Sequence, residues 1–371
     1  ELSCHGGLFI LKTGLQAGFA AGAAPAPPGG FTRRAFLNGK MDLAQAEAVM
    51  ELISAQGREA MKAAQAGHDG ALSRRIAAIR DDLTDVGAHL AAWADYPDDD
   101  IPQVDENMLK ERLSAGHDAL EALIRSFDGG RVLREGVVTV IAGKPNAGKS
   151  TLMNLLAGCE RSIVTDLAGT TRDVVEETVL LGEIPLRLAD TAGIRETEDR
   201  VEQIGVKIAL DRVRTAQFVL AVFDASETLN DDDRAMMEAI GETPCVAVVN
   251  KSDLPAAIDM AEIEARFPAV VTISALSGDG LSALAEAAAR VLQTAELNPN
   301  DGILYTERQR ADAKDALACI EEAQDALLRG MTWDAVTVSL EGAVAALNEL
   351  TGERVSDAVV DRVFEKFCVG K

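Results

Sequence analysis

What this chain lacks narrows it first. No uninterrupted apolar stretch approaches the roughly 20 residues of a membrane-spanning helix, so no membrane attachment is expected. The cysteines (Cys4, Cys159, Cys245, Cys319 and Cys368) are far apart, odd in number and without CxxC spacing. That excludes a cysteine zinc site and fits a reducing, cytoplasmic setting. Histidine is as sparse, with His5, His68, His89 and His117 too dispersed to suggest a histidine metal centre. Aromatics make up only 4% of the 371 residues against 47% apolar overall, which points to alanine-rich helices and a length sufficient for two or three domains. Basic residues are in deficit, 36 against 60 acidic, for a net charge of −24. Such a surface repels phosphates and argues against non-specific nucleic-acid binding, while leaving a local basic patch or a basic partner protein open. A basic leader with a cleavage site is also missing, so no signal peptide is expected. The opening Glu1-Leu2-Ser3-Cys4-His5-Gly6-Gly7 reads as the middle of a domain, and the chain is expected to be a fragment whose start lies upstream.

What is present centres on Gly143-Lys144-Pro145-Asn146-Ala147-Gly148-Lys149-Ser150, which fits G-x-x-x-x-G-K-[ST]. The apolar run Val137-Val138-Thr139-Val140-Ile141-Ala142 before it reads as a buried strand, and Thr151-Leu152-Met153-Asn154 after it as the start of a helix. Strand, glycine-rich turn and helix N-terminus make a cradle of backbone N–H groups for phosphates. Lys149 would reach the β- and γ-phosphates, and the Ser150 hydroxyl would face Mg²⁺. Asn146, Ala147, Gly148 and Thr151 complete the expected nucleotide-binding loop.

About a hundred residues on, Cys245-Val246-Ala247-Val248-Val249 leads into Asn250-Lys251-Ser252-Asp253. An Asn-Lys-x-Asp turn at a strand end selects guanine, because the Asp253 carboxylate can accept from N1–H and the exocyclic amine together. Asn250 would hold adjacent loops, the Lys251 stem would cover the base, and Ser274-Ala275-Leu276 would bring a backbone N–H to the guanine oxygen. Between the two motifs lie candidate switches. Asp190-Thr191-Ala192-Gly193 would hold Mg²⁺ through water at Asp190 and meet the γ-phosphate at the Gly193 N–H, and in Gly169-Thr170-Thr171-Arg172-Asp173 the residue expected on Mg²⁺ is Thr171. Ile194 stands where Ras-type GTPases carry a water-orienting glutamine. An aliphatic side chain cannot polarise water, which leaves Glu196, Glu198, Asp199 and Glu202 as nearby candidates.

Around this centre the texture changes twice. Residues 1–36 read as a short α/β remnant with a proline-containing loop at 22–30. From 37 to 133 the pattern is helical, with Leu72, Ile76, Ile79, Leu83, Val86, Leu90 and Trp93 forming one stripe. A further helix carries Leu109, Leu113, Leu120, Leu123 and Phe127 and is expected to stop at Asp128-Gly129-Gly130. Across 134–296 six short apolar strands alternate with helices, as in a mostly parallel, six-stranded α/β sheet of Ras-like G-domain type. From 297 to 371 helices return, with Val336, Leu340, Val344 and Leu347 on one and Val359, Val363 and Phe367 on another. The predicted fold class is therefore α/β plus all-α, a G domain inserted into one helical bundle, because the stripes on both sides need covering. Two separate helical domains are the alternative.

The chain resembles the MnmE (TrmE) family of tRNA-modification GTPases. The resemblance rests on Phe31-Thr32-Arg33-Arg34-Ala35-Phe36-Leu37-Asn38-Gly39-Lys40-Met41-Asp42-Leu43-Ala44-Gln45-Ala46-Glu47, the loop 143–150, the two switch segments and the ending Phe367-Cys368-Val369-Gly370-Lys371, and it covers essentially the whole chain. It implies a K⁺-stimulated GTPase in which K⁺, held by the Asn146 side chain and the backbone carbonyls of Thr165, Leu167 and Thr170, takes the part of an arginine finger. It implies Glu202 as the residue that positions the attacking water. It also implies a homodimer through N-terminal and G domains, and an MnmG-like flavoprotein partner carrying FAD. The implied product is a carboxymethylaminomethyl or aminomethyl group at C5 of the wobble uridine of tRNA, with a tetrahydrofolate derivative as one-carbon donor. The folate-binding N-terminal domain would be truncated here. Cys368 reads equally as a reactive thiol near the folate site or as a small buried residue. An Era/Der-like GTPase that acts as an RNA-binding switch in ribosome assembly is the alternative function.

Overall fold

The computed structural model describes residues 3–95, 105–158, 177–188, 213 and 216–367. The N-terminal part is helical: α1 (Leu8–Ala20), α2 (Gly30–Leu37), α3 (Leu43–Ser54), α4 (Arg58–His68), α5 (Ala71–Asp95) and α6 (Glu106–Glu135). In the described part of 1–36 both elements are helices, and α1 buries none of its side chains. The α/β part follows as β1 (Val137–Ala142), α7 (Lys149–Gly158), β2 (Glu177–Leu181), β3 (Ile184–Leu188), β4 (Phe218–Asp224), α8 (Asp231–Ile240), β5 (Cys245–Asn250), α9 (Met260–Arg266), β6 (Val270–Thr272) and α10 (Leu281–Val291). Three helices close the chain: α11 (Glu307–Leu328), α12 (Trp333–Thr351) and α13 (Asp357–Phe364).

The six strands form one sheet in the order β2-β3-β1-β4-β5-β6, parallel throughout except for the β2–β3 hairpin. β4 and β5 are buried along their whole length, so each reads as an unbroken apolar run rather than an alternating one. Their C-terminal ends, with that of β1, deliver the loops of the expected nucleotide site to one edge of the sheet, where ligands of parallel α/β folds bind.

The helices on the two sides of the α/β part share one core. Leu72, Ile76, Leu83 and Leu90 of α5 and Leu113, Leu120, Leu123 and Phe127 of α6 join Ala316, Ile320 and Ala323 of α11 and Val336, Leu340 and Leu347 of α12 in a single apolar cluster. α12 packs on α5 and α11 on α6, so each half covers the stripe the other leaves bare. A buried polar clasp adds to this. Arg308 donates to both carboxylate oxygens of Glu47, at 3.1 and 2.7 Å, and Gln309 Nε2 donates to Glu47 Oε2 at 2.7 Å. Glu47 lies on α3 and is 7% exposed, so it depends on those donors to compensate its lost hydration.

Two expectations need correction. α6 does not stop at Asp128-Gly129-Gly130 but runs on to Glu135. The two glycines, each costing a helix about 1 kcal/mol relative to alanine, serve close approach rather than termination. A Cβ on Gly129 would lie 2.6 Å from the Gln293 carbonyl oxygen, and one on Gly130 2.8 Å from Ile303 Cδ1. The last turns of α6 are thus wedged against the segment by which the chain returns from the α/β part. On α13 the buried face is Val360 and Phe364, continued by Phe367, which pack on Leu43 and Ala46; Val359 and Val363 sit at its margin.

The β2–β3 hairpin reaches the helical part directly. Gly57, just before α4, has no side chain to cap the helix, and Glu183 at the hairpin turn accepts from the Arg58 and Glu59 N–H groups at 3.0 and 3.4 Å. A carboxylate there satisfies two orphan donors and sits at the positive end of the helix.

Candidate functional site

The phosphate loop leaves β1 at Gly143 and enters α7 at Lys149. Asn146 adopts a left-handed conformation (φ +62°), as does Gly148 at φ +96°. Gly148 is dictated by contact as well as by torsion, since a Cβ there would lie 2.1 Å from Asn250 Nδ2. Lys149 is partly buried and its Nζ donates to the carbonyls of Gly143 at 2.8 Å and Lys144 at 2.7 Å. An ammonium has three N–H donors, and two of them are used among the described residues, which leaves one to point at an anion. Burial pulls the Lys149 pKa down. A bound phosphate would supply a countercharge. Ser150 and Thr151, in the first turn of α7, are exposed beside it.

The base-recognition turn is built on the end of β5. Asn250 is 2% exposed, its Nδ2 donates to the Ala147 carbonyl at 2.9 Å, and its Oδ1 accepts from the Ala275 N–H at 2.9 Å. One amide therefore joins the phosphate loop, the Asn-Lys-x-Asp turn and the Ser-Ala segment. Asp253 is exposed, and its Oδ1 accepts from Ser274 Oγ at 2.6 Å, which fixes the carboxylate's rotamer. The Ser274 N–H donates to the Asp279 carbonyl at 3.0 Å. Lys251 has φ +65°, and its ammonium meets the buried carboxylate of Asp224, which also accepts from the Ser226 N–H and hydroxyl. Burial alone would raise the Asp224 pKa, but the hydrogen bonds from Lys251 and Ser226 outweigh it and hold the carboxyl below its ordinary value.

The structure thus brings Asn146, Ala147, Gly148, Lys149, Ser150, Thr151, Asn250, Lys251, Asp253, Ser274 and Ala275 to one edge of the sheet. Thr165, Leu167, Thr170, Thr171, Asp190, Gly193, Glu202 and Cys368 lie outside the described residues. One group escaped the sequence reading. Lys144, an unspecified position of the loop motif, is 9% exposed, and its Nζ bonds Glu227 Oε2 at 2.9 Å and Asp233 Oδ2 at 3.2 Å. Burial lowers its pKa, yet the two carboxylates more than restore it and leave it raised. Nothing in the local pattern marks these partners, which arrive from 83 and 89 residues away along the chain.

Comparison with known proteins bears on the chain as a whole. Residues 43–368 match the family model described as the MnmE helical domain, and residues 1–40 match that of the GTP-binding protein TrmE N-terminus. A tRNA modification GTPase MnmE from Natranaerobius thermophilus is 41% identical over 374 residues, covering 100% of this chain and 82% of the relative. Those from Acaryochloris marina and Acetivibrio thermocellus are 42% and 40% identical, again over 100% of this chain and 81% and 82% of the relatives. With a matching helical-domain model and relatives of this similarity along the whole of this chain, the chain belongs to the MnmE family of tRNA modification GTPases.

Proposed function

We propose that this chain binds GTP and hydrolyses it with K⁺ stimulation, and that hydrolysis drives G-domain dimerisation and conformational change during C5 modification of the wobble uridine of tRNA. The observation that carries the reading is the Asn250 amide, which holds the Lys149 loop and the guanine-selecting turn in one frame. With the N–H groups of Ser274 and Ala275 already engaged, Leu276 is the member of that segment left to donate to the guanine oxygen.

The donor set suits the expected metals. Ser150 offers an exposed hydroxyl at a helix N-terminus next to Lys149, and with Thr171 and Asp190 would hold Mg²⁺, which neutralises charge on the β- and γ-phosphates. Asn146, exposed at the left-handed corner of the loop, would hold K⁺ with the carbonyls of Thr165, Leu167 and Thr170. That ion supplies the positive charge that an arginine gives elsewhere. Glu202 positions the attacking water. The reading includes an MnmG-like flavoprotein partner with FAD, a homodimer through N-terminal and G domains, and a tetrahydrofolate derivative near Cys368.

The test compares GTPase rates in KCl and NaCl at equal ionic strength. Faster turnover in KCl is expected, and lost in Asn146→Ala; equal rates would reject the potassium role. Glu202→Ala should lower hydrolysis while guanine nucleotide binding persists. Wobble uridine that keeps its C5 group in a strain lacking the gene would reject the tRNA step.

A further inference from the structure

We propose that Lys144 is a positioning residue for Lys149, locking the entrance of the phosphate loop to the loop that follows β4. The inference rests on the GTP reading of the site and adds to it a residue that the loop motif leaves unspecified.

The loop is framed by Gly143 and Gly148, so its shape must be imposed from outside. One clamp is the Asn250–Ala147 bond at its far end. The other is the Lys144 side chain at its near end, reaching Glu227 and Asp233. The carbonyl of that same residue is one of the two that hold Lys149 Nζ. Fixing the Lys144 side chain therefore fixes the acceptor that aims the phosphate-binding ammonium.

The anchor is itself rigid. Asp233 is 1% exposed and forms a capping box with Asn230: its Oδ2 accepts from the Asn230 N–H at 3.1 Å, and its own N–H donates to Asn230 Oδ1 at 2.9 Å. Its Oδ1 is buried with no hydrogen-bond partner among the described residues. A carboxylate so poorly solvated draws its compensation from the Lys144 ammonium, and the lysine is held in return. The segment from Asp224 to Asp233 also grips Lys251 through Asp224. The guanine-selecting turn and the phosphate lysine are thereby joined by a second route, separate from Asn250. A lysine that only anchored α8 would need no carbonyl in the Lys149 shell.

The experiment is a double-mutant cycle on the full chain, reading affinity for a non-hydrolysable GTP analogue and steady-state GTPase kinetics. Lys144→Met keeps the aliphatic stem without the charge and should weaken analogue binding about tenfold. Lys144→Arg should restore most of it. In a Lys149→Ala background, Lys144→Met should cost less than about twofold, because the group it aims is gone. Additive losses, or no loss in Lys144→Met, would overturn the proposal. If Lys144→Met does not fold, as judged by circular dichroism, the cycle is run with Glu227→Gln, an exposed position. A loss of about twofold that vanishes without Lys149 supports the link, and unchanged affinity overturns it. Lys149→Ala with full analogue affinity would sink the nucleotide reading itself, a failure separate from that of the Lys144 link.

Discussion

Asn250→Ala tests how much of the site depends on one amide. The change removes two hydrogen bonds of 2.9 Å and leaves behind the carbonyl of Ala147, a residue 0% exposed, and the N–H of Ala275, a residue 5% exposed. A buried polar group left without a partner costs about 1–3 kcal/mol, so the loss of both is about 2–6 kcal/mol if no water enters. Gly148→Ala attacks the same contact from the other side, since its Cβ would fall 2.1 Å from Asn250 Nδ2, at a φ of +96°. Part of that cost is torsional, about 1–2 kcal/mol, and stays whatever occupies position 250. The steric part disappears once the amide is gone. The double variant is therefore expected to lose less stability and less GDP affinity than the two single losses added together. Calorimetric unfolding of the full chain, with and without GDP, measures the stability terms, and isothermal titration measures the affinity. Strictly additive losses, or a cost below about 0.5 kcal/mol for Asn250→Ala, would refute the view that this amide ties the loops together.

Three further outcomes follow from buried groups. Burial raises Glu51 to about 7 from 4.5, only partly countered by Arg134. The folded chain thus holds a proton there that the unfolded chain releases, so this stabilisation is complete below pH 4.5 and is lost as pH rises through about 7. Glu51→Gln should therefore gain thermal stability over the parent between pH 5 and pH 8, by at most about 3 kcal/mol, and a pH-independent difference in melting would contradict this. Arg308→Met should destabilise the helical bundle by about 3–5 kcal/mol, read by thermal unfolding, because it strands the Glu47 carboxylate. Cys245, pushed up to about 12 by burial, should resist maleimide at neutral pH in the folded chain, whereas exposed Cys4 should label at once; mass spectrometry of the labelled peptides decides.

The parts of this molecule that could be read from sequence are those where chemistry demands particular residues at fixed spacing. The Gly143–Ser150 loop and the Asn250–Asp253 turn announced themselves because backbone cradling of phosphates and the proposed guanine selection tolerate few alternatives. The α5 stripe was legible for a similar reason, since a long buried helix must repeat its apolar residues. What stayed hidden depends on neighbours distant in sequence. Gly129 and Gly130 look like a helix end until Gln293 and Ile303 are seen pressing on them. Lys144 looks like a surface lysine until Glu227 and Asp233 close over it. Glu183 has no meaning in its own turn and acquires one only where α4 begins beside it.

The shared helical core has a consequence for how the chain comes to be folded. Among the described residues, none of the side chains in that core comes from the span 137–303. As the polypeptide leaves the ribosome, α5 and α6 emerge with their apolar seams bare, and the residues that will cover them are made only after the whole α/β insert has been synthesised. Domains usually fold in order of emergence. Here the middle unit can be finished while the outer one is still waiting for its second half, a long interval in which the uncovered seams need shielding from other nascent chains.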